Sequence, residues 1–257
     1  MARIDESTSF NLDGLSGSVI GIAASIGKHD SGMHSHDKAQ LLYAPKGCIS
    51  IQLEATKSVL PPTRAAWIPA GVQHCARMNN VVEYRSLYFS DSTAPQIDQI
   101  RIVEVSPLLQ ALIERMAFWQ WDKPENEMSN TLALFIEELN QAPEQSLSLP
   151  MPSDPRLRNW LERLTQPGQI APSLNQLAEQ VGASSKTISR IFDRETGMPY
   201  QSWRQQWRLL RAIELLSLGL QVNDVAYQLE FSSDSAFITF FKQQTGSTPF
   251  QYLHSSA

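Results

Sequence analysis

The chain has 257 residues, 42% of them hydrophobic and 18% charged, with a net charge of −5, a composition typical of a globular protein with about two domains. No apolar run approaches the roughly 18 residues of a membrane-spanning helix, and the polar N-terminus "MARIDESTSFNLDG" lacks the apolar core of a secretory signal. Cys48 and Cys75 are too few for a disulfide framework, so we expect a cytoplasmic protein with no membrane partner.

The first hundred residues are predicted to form short strands separated by turns rich in Gly, Pro and Asn. In "CISIQLEA" apolar and polar residues alternate, which is the period of a half-buried strand, with Ile49, Ile51 and Leu53 inward and Ser50, Gln52 and Glu54 outward. Similar runs are "VIGIAASI", "QLLYA", "AAWIPA" and "VVEYRSLYF". Their spacing favours a small antiparallel barrel or sandwich.

Histidines mark a candidate site in this strand-rich half. His34 and His36 lie in "HSHDKAQLLYAPKG", and residues two apart on a strand share a face. His74 ends the later stretch "PAGVQH". Both stretches resemble the two motifs of the cupin barrel, which implies a cupin-like β-barrel with the three imidazoles converging inside it. Imidazole clusters suit Zn, Fe, Ni or Cu.

Gln40 stands where cupins usually carry a glutamate ligand, and a neutral amide is a poorer ligand for a divalent cation. Two hypotheses therefore stay open. In one, His34, His36 and His74 hold a divalent transition metal, since three imidazoles can bind zinc without a carboxylate. In the other, the protein has no cofactor, and these histidines and Gln40 line the pocket of a small-molecule effector.

Two helices are predicted next. Ser106 and Pro107 form a good cap and first turn for "PLLQALIERMAFW". The run "NTLALFIEELNQ" places apolar residues on one stripe, namely Leu132, Phe135, Ile136 and Leu139. Either both helices cover the barrel or one face of them forms the interface of a homodimer, and the two interpretations have equal weight.

The composition changes at residues 141–155, where four prolines favour an extended linker. Residues 1–149 hold 11 Lys and Arg against 17 Asp and Glu, a net charge of −6, whereas residues 150–257 hold 10 against 9, a net charge of +1. This asymmetry indicates different tasks. We predict an effector-binding and dimerisation domain over 1–140 and a second, all-α domain over 156–257, an α+β class overall.

The helical pattern after the linker repeats itself after about 49 residues. The first copy is "SLNQLAEQVG" followed by "SSKTISRIFDRETG", and the second is "VNDVAYQLEFSSDSAFITFFKQQTG". A long helix, "YQSWRQQWRLLRAIELLS", lies between them. A short helix, a tight turn and a second helix form a helix-turn-helix, whose second helix can enter a DNA major groove. The alternative for one copy alone is a helical hairpin with a solvated face.

Residues 155–253 resemble the DNA-binding domain of the AraC/XylS family of bacterial transcription regulators. The resemblance rests on both copies and on the closing phrase "FKQQTGSTPFQY". In that family the two recognition helices enter successive major grooves of double-stranded promoter DNA. By position, the residues that face bases here are Lys186, Ser189 and Arg190 in the first copy, and Asp234, Ser235, Ile238 and Thr239 in the second.

The second copy departs from the family pattern at two positions. Glu230 stands where the turn usually carries glycine, and Thr239 stands where arginine is common. An acidic turn and a lost cation should weaken phosphate attraction there, because affinity for the DNA backbone comes mainly from Lys and Arg. Lys242 is expected to remain as a phosphate contact.

The phrases "QLLYA" and "PPTRAAWIPAG" are also similar to a subgroup of this family often linked to drug-efflux transporters, such as the nitroimidazole-efflux regulator. The sequence therefore predicts a transcription regulator without catalytic residues that responds to a small molecule or metal in the barrel, and that contacts RNA polymerase if it is an activator. The alternative from another class is a metal-dependent cupin enzyme with a helical appendage. A third alternative is a regulator whose effector is the metal ion itself.

Overall fold

A computed structural model of the protein describes residues 14–15, 17–144, 148–164, 166 and 168–254. The contacts among these residues define two units. The strand-rich unit comprises residues 17–52, 59–144 and 250–254, and the helical unit comprises residues 53–58 and 148–249. Strands come first and helices follow, which confirms the predicted α+β class.

Ten strands were assigned in the described chain, all but the last before residue 105. They are β1 (Val19–Ile26), β2 (His29–Asp30), β3 (Ala39–Lys46), β4 (Ile49–Leu53), β5 (Thr56–Leu60), β6 (Arg64–Ile68), β7 (His74–Met78), β8 (Val82–Phe89), β9 (Arg101–Glu104) and β10 (Ser148–Pro150). The order β1-β8-β3-β6-β9 forms one antiparallel sheet, and β5, β4, β7 and β2 follow one another in a second sheet.

Two helices, α1 (Pro107–Ala117) and α2 (Glu125–Gln141), cover one face of the first sheet. Helix α1 begins as predicted, because the Ser106 side chain accepts a hydrogen bond from the backbone of Leu109. Leu41, Trp67 and Phe89 pack in one core with the buried faces of both helices. Helix α1 comes so close to β1 at Gly21 that a Cβ atom there would lie 2.1 Å from the Met116 carbonyl oxygen.

The opposite face of the first sheet carries a group of polar residues. Side chains alternate along a strand, so Gln40 on β3 faces away from the helix-covered Leu41, and Ser86 and Tyr88 on β8 face away from Leu87. The alternation predicted for β4 is only partly correct. Ser50, expected outward, is 7% exposed, and Leu53, expected inward, is only half-buried.

The helical unit contains α3 (Arg158–Leu164), α4 (Leu174–Gln180), α5 (Ser185–Thr196), α6 (Tyr200–Ser217), α7 (Val222–Gln228) and α8 (Asp234–Thr245), and α9 (Pro249–His254) ends the described chain. Its core includes an aromatic cluster in which Trp160, Phe192 and Trp203 have ring centroids 5.1–6.4 Å apart. Among the described residues, the structure contains no helix both long and apolar enough to cross a membrane.

The segment predicted as a linker, 141–155, starts at the last residue of α2 and ends at the first residue of a short 3-10 helix, Pro155–Leu157, with strand β10 between them; residues 145–147 lie outside the described residues. Strand β10 pairs with residues 56–58 of β5. The Pro150 carbonyl accepts a hydrogen bond from Nε1 of Trp203 at 2.6 Å. The backbone nitrogens of Ser153 and Asp154 donate to one carboxylate oxygen of Glu195 at 2.8 and 3.0 Å. These bonds fix residues 150–154 onto α5 and α6 within the helical unit.

Candidate functional site

His34 and His74 lie directly opposite each other in an isolated antiparallel bridge. Each backbone nitrogen donates to the other residue's carbonyl at 2.9 Å, and the ring centroids are 4.4 Å apart. His36 lies two residues further on, with its ring centroid 5.9 Å from His34 and 5.1 Å from His74. His34 and His36 precede β3 instead of lying within a strand. The three imidazoles nevertheless converge as predicted, because one ligand atom from each lies within 4.8 Å of the others.

Each of the three imidazoles is held through its Nδ1 atom by a backbone carbonyl. The acceptors are Gly32 for His34 at 3.0 Å, Lys38 for His36 at 2.6 Å and Val72 for His74 at 2.9 Å. A carbonyl oxygen can only accept, so Nδ1 carries the proton and Nε2 of the neutral ring presents a lone pair. A hydrogen bond from the other ring nitrogen to a backbone carbonyl is typical of histidines that bind metals.

Gln40 lies beside this cluster in a buried polar network. Its side-chain nitrogen donates to Oγ of Ser86 at 2.8 Å and to the Tyr88 hydroxyl at 3.0 Å. Its oxygen therefore faces Nε2 of His36 at 3.3 Å. When Nδ1 of His36 carries the proton, two lone pairs face each other across this distance, and a cation between them would remove the repulsion.

Burial keeps the His74 imidazole neutral, which is the form that binds a metal or accepts a hydrogen bond. His74 is 1% exposed. Burial and the nearby rings of His34 and His36 lower its pKa from 6.5 to about 4. His74 is therefore neutral at physiological pH, with a free Nε2 lone pair.

The donor set fits a first-row transition metal. Zinc–nitrogen distances of about 2.0–2.1 Å in tetrahedral geometry place two ligating nitrogens about 3.4 Å apart. The ligand atoms of the three histidines lie within 4.8 Å of one another, so the rings would have to move closer together to surround one ion. No carboxylate of the described residues joins this histidine group. His34, His36 and His74 would thus hold the ion, and Gln40 would offer a neutral oxygen beside it.

Ser86 and Tyr88 belong to this site, although the sequence analysis did not select them. They lie on β8 with Tyr84, each two residues from the next; Tyr88 is opposite Gln40 in the register of the sheet, and Ser86 is opposite Leu42. Burial raises the pKa of Tyr88 well above its ordinary value, so its hydroxyl stays protonated. The signal was present in the sequence, since Tyr84, Ser86 and Tyr88 are polar groups at period 2 within a predicted strand.

The two helix-turn-helix units consist of α4 with α5 and of α7 with α8. Serines cap both second helices: Ser184 accepts from the backbone of Thr187, and Ser233 accepts from that of Ala236. Both second helices also end alike, at a glycine in the left-handed conformation. Thr196 donates to the Phe192 carbonyl four residues before it, and its counterpart Thr245 donates to Phe241 in the same way.

The residues predicted to face DNA bases lie on the side of α5 and α8 away from the core. The buried sides are formed by Ile188, Ile191 and Phe192 in α5, and by Phe237 and Phe241 in α8. On the other side, Lys186, Arg190, Asp234, Ser235, Thr239 and Lys242 are exposed, whereas Ser189 and Ile238 are half-buried. Each recognition helix thus presents a mainly polar outer surface, which on α8 includes Ile238.

The two turns share a backbone conformation but not a residue type. Gly182 follows α4 with φ of 65°, and Glu230 follows α7 with φ of 55°. Both turns are closed by the same pair of backbone hydrogen bonds, such as Ala183 to the Ala178 carbonyl and Phe231 to the Ala226 carbonyl. This closure is the Schellman motif, which requires a left-handed residue. The departure noticed at Glu230 therefore falls on a position that favours glycine.

Comparison with known proteins identifies several similar ones. Residues 177–255 match the family model of a helix-turn-helix domain. The chain is 33% identical over 224 residues to the HTH-type transcriptional regulator NimR of Escherichia coli strain K12, covering 87% of this chain and 82% of NimR. It is 30% identical over 100 residues to the HTH-type transcriptional regulator RipA of Corynebacterium glutamicum, covering 39% of this chain and 30% of RipA. A crystal structure of unsaturated-fatty-acid-bound ToxT from Vibrio cholerae is similar at 12% identity and a TM-score of 0.40, covering 93% of this chain and 96% of that one.

Proposed function

The chain belongs to the AraC/XylS family of helix-turn-helix transcription regulators, and from this premise we propose which residues contact DNA and which bind an effector. It is a sequence-specific DNA-binding regulator and not an enzyme. The observation that carries the proposal is the pair of matching helix-turn-helix units, each with a polar outer surface on its second helix.

The first recognition helix, α5, contributes Lys186, Ser189 and Arg190 to base contacts. Lys and Arg are good donors to guanine, and serine can donate or accept. The second, α8, contributes Asp234, Ser235, Ile238 and Thr239, and Lys242 contacts a phosphate. An aspartate can accept from the cytosine amino group, and an apolar side chain can contact a thymine methyl group. The two helices therefore favour different bases.

The effector binds beside the histidine cluster and Gln40. The orientation of the Gln40 amide separates the two hypotheses for this site. With its oxygen toward His36, the site suits a cation held by His34, His36 and His74. With the amide reversed, its nitrogen would donate to Nε2 of His36, and the site would suit an organic effector without an ion.

The remaining partners follow from the exposed surfaces and from the function. Apolar side chains on the outer faces of α1 and α2 support a homodimer, since Leu108, Phe118 and Leu134 are 45%, 50% and 38% exposed. The inner faces of the same helices cover the sheet. A regulator of promoter DNA acts in the cytoplasm and, as an activator, contacts RNA polymerase. The similarity of "QLLYA" and "PPTRAAWIPAG" to efflux regulators supports a transporter gene as the target.

Selection of DNA from a randomised duplex library with the full chain tests the DNA-binding part of this proposal. We expect a site with two recognisable halves about one helical turn apart. Affinity for that site should fall steeply with salt, because bound phosphates release counterions. Failure to enrich any sequence over the starting library at moderate salt would contradict the proposal.

A further inference from the structure

Arg208 lies in the middle of α6, the helix that connects the two helix-turn-helix units, and is only 7% exposed. No ion pair found in the described part of the chain includes it. The carboxylate of Glu230 favours the charged form of Arg208 electrostatically, but no carboxylate of the described residues lies within ion-pair distance, and a buried guanidinium is costly unless other groups compensate for its lost hydration. The groups that contact Arg208 therefore indicate its structural role.

Those partners are the two residues on either side of Glu230. One terminal nitrogen of Arg208 donates to the Leu229 carbonyl. The guanidinium carbon lies 3.8 Å from the centroid of the Phe231 ring, a close cation–π contact. Arg208 thus contacts the chain immediately before and after the left-handed residue of the second turn.

The second turn is more strained and longer than the first, and the contact with Arg208 would compensate for both differences. Its left-handed position is Glu230, and a residue other than glycine in this conformation costs about 1–2 kcal/mol. It is also one residue longer, since two steps separate Gly182 from the cap Ser184 but three separate Glu230 from the cap Ser233. In the first turn the residue after the glycine is Ala183, which has no ring for a cation to stack on.

The Phe231 ring connects this turn to the second recognition helix. Its centroid lies 5.3 Å from that of Phe237 and 5.0 Å from that of Phe240, both on α8. The Arg208 guanidinium is itself 6.0 Å from the Phe240 ring. Arg208, Phe231 and the inner face of α8 therefore form one continuous packed stack.

We propose that Arg208 is a positioning residue for DNA recognition, which sets the placement of α8 by holding the turn at Leu229–Phe231 and so determines base discrimination in the second half of the DNA site. The proposal rests on the function proposed above, because it assigns the second half-site to α8. Arg208 itself is buried and does not contact DNA.

The test measures binding of the full chain to the duplex that the wild-type protein selects from a randomised library, together with every single-base-pair variant of that duplex. Base pairs that respond to Arg190→Ala are assigned to α5, and those that respond to Asp234→Ala are assigned to α8. The key variant is Arg208→Met, which keeps the length of the side chain but removes the charge and the planar face. Arg208→Lys keeps the charge without the planar face.

We expect Arg208→Met to reduce discrimination at the α8 base pairs from the usual fivefold or more to about twofold or less, and to leave discrimination at the α5 base pairs within about twofold of wild type. Arg208→Lys should have an intermediate effect and serves if the methionine variant does not fold. The matched control is Arg204→Met, one turn earlier on α6, because the Arg204 side chain donates instead to the Ala171 carbonyl at 2.7 Å.

A second change tests whether Arg208 acts through the turn. Adding Glu230→Gly to Arg208→Met should restore at least part of the discrimination at the α8 base pairs, because glycine adopts the left-handed conformation without strain. Equal losses at both half-sites, unchanged discrimination at the α8 base pairs or no recovery with Glu230→Gly would each overturn the proposal. If the wild-type chain selects no sequence at all, the proposed DNA-binding function has failed, and not the role of Arg208 alone.

Discussion

Gly182 and Glu230 occupy equivalent positions in the two helix-turn-helix units, and both have a left-handed backbone, with φ of 65° and 55°. Glycine adopts this conformation freely, whereas a side chain at Cβ is crowded by the backbone. The same turn is therefore unstrained in the first unit and strained in the second. The second unit keeps its shape through the hydrogen bonds that close the turn and through its neighbours.

Replacing the strained residue should stabilise the protein. Glu230→Gly removes about 1–2 kcal/mol of backbone strain, partly offset by the greater freedom of glycine in the unfolded chain, so we expect a net gain of roughly 0.5–1 kcal/mol. Urea unfolding followed by helical circular dichroism measures it. The matched change Gly182→Ala should lose a similar amount. A loss of stability in Glu230→Gly would show that the electrostatic attraction between Glu230 and Arg208 outweighs the backbone strain.

The proposed roles of Arg190 and Lys242 can be separated by their effect on specificity. Arg190→Ala should cost about 1–3 kcal/mol on the selected DNA site and relax selectivity at one base pair, because a base contact is lost. Lys242→Ala should weaken all sequences alike and reduce the salt slope by about one, because a phosphate contact is lost. Titrations on the selected duplex and on random DNA at several salt concentrations measure both. Identical behaviour of the two variants would refute the assignment.

The metal hypothesis is tested on protein purified without an affinity tag or a chelator. If His34, His36 and His74 hold an ion, elemental analysis should find a transition metal, and His36→Ala should lack it while still binding the selected DNA. Metal affinity should fall in acid, because a protonated imidazole stops acting as a ligand, and burial delays this for His74 until the pH approaches its lowered pKa of about 4. Absence of any transition metal, with no uptake on titration, would leave the organic-effector hypothesis for this site.

The low pKa of His74 predicts an acid-sensitive fold in the metal-free protein. The unfolded imidazole protonates near pH 6.5, whereas burial lowers the folded pKa to about 4. Between these values the unfolded state binds more protons than the folded state, so stability is complete above pH 6.5 and declines as the pH falls. The loss at pH 4 amounts to about 3 kcal/mol at 1.36 kcal/mol for each pKa unit.

Urea unfolding at several pH values in the presence of a chelator measures this loss. His74→Gln removes the titrating group and keeps a polar side chain, so its stability should change less over the same pH range. An equally steep decline in the variant would assign the acid sensitivity to other groups.

Features set by local sequence could be predicted well. Ser106 and Pro107 mark the start of α1 because a cap and a first turn depend on neighbouring residues only. The repeated spacing of apolar residues similarly identified both helix-turn-helix units, and the different residues at Gly182 and Glu230 pointed to the position that the structure finds left-handed. Cupin-like spacing predicted that His34, His36 and His74 converge, and in the structure they do.

Features that depend on distant partners could not be predicted in the same way. Strand β10 is three residues long and contains a proline, so only its pairing with residues 56–58 defines it. Helix α3 has seven residues and is held by the burial of Trp160 and Leu164 in a core that forms from later helices. Arg208 resembles any cation on an amphipathic helix until its contact with Phe231 is seen.

The contact at Gly21 has a consequence for genetics. The β-carbon of an alanine at this position would lie 2.1 Å from the Met116 carbonyl oxygen and 2.8 Å from the Ala117 α-carbon, so α1 would have to move away from the sheet. The obstacle is backbone and cannot rotate aside. A single missense allele, Gly21→Ala, would therefore make the strand-rich unit temperature-sensitive, while the helix-turn-helix units, built from other residues, remain intact. Shifting the culture temperature would then separate effector sensing from promoter binding in a living cell.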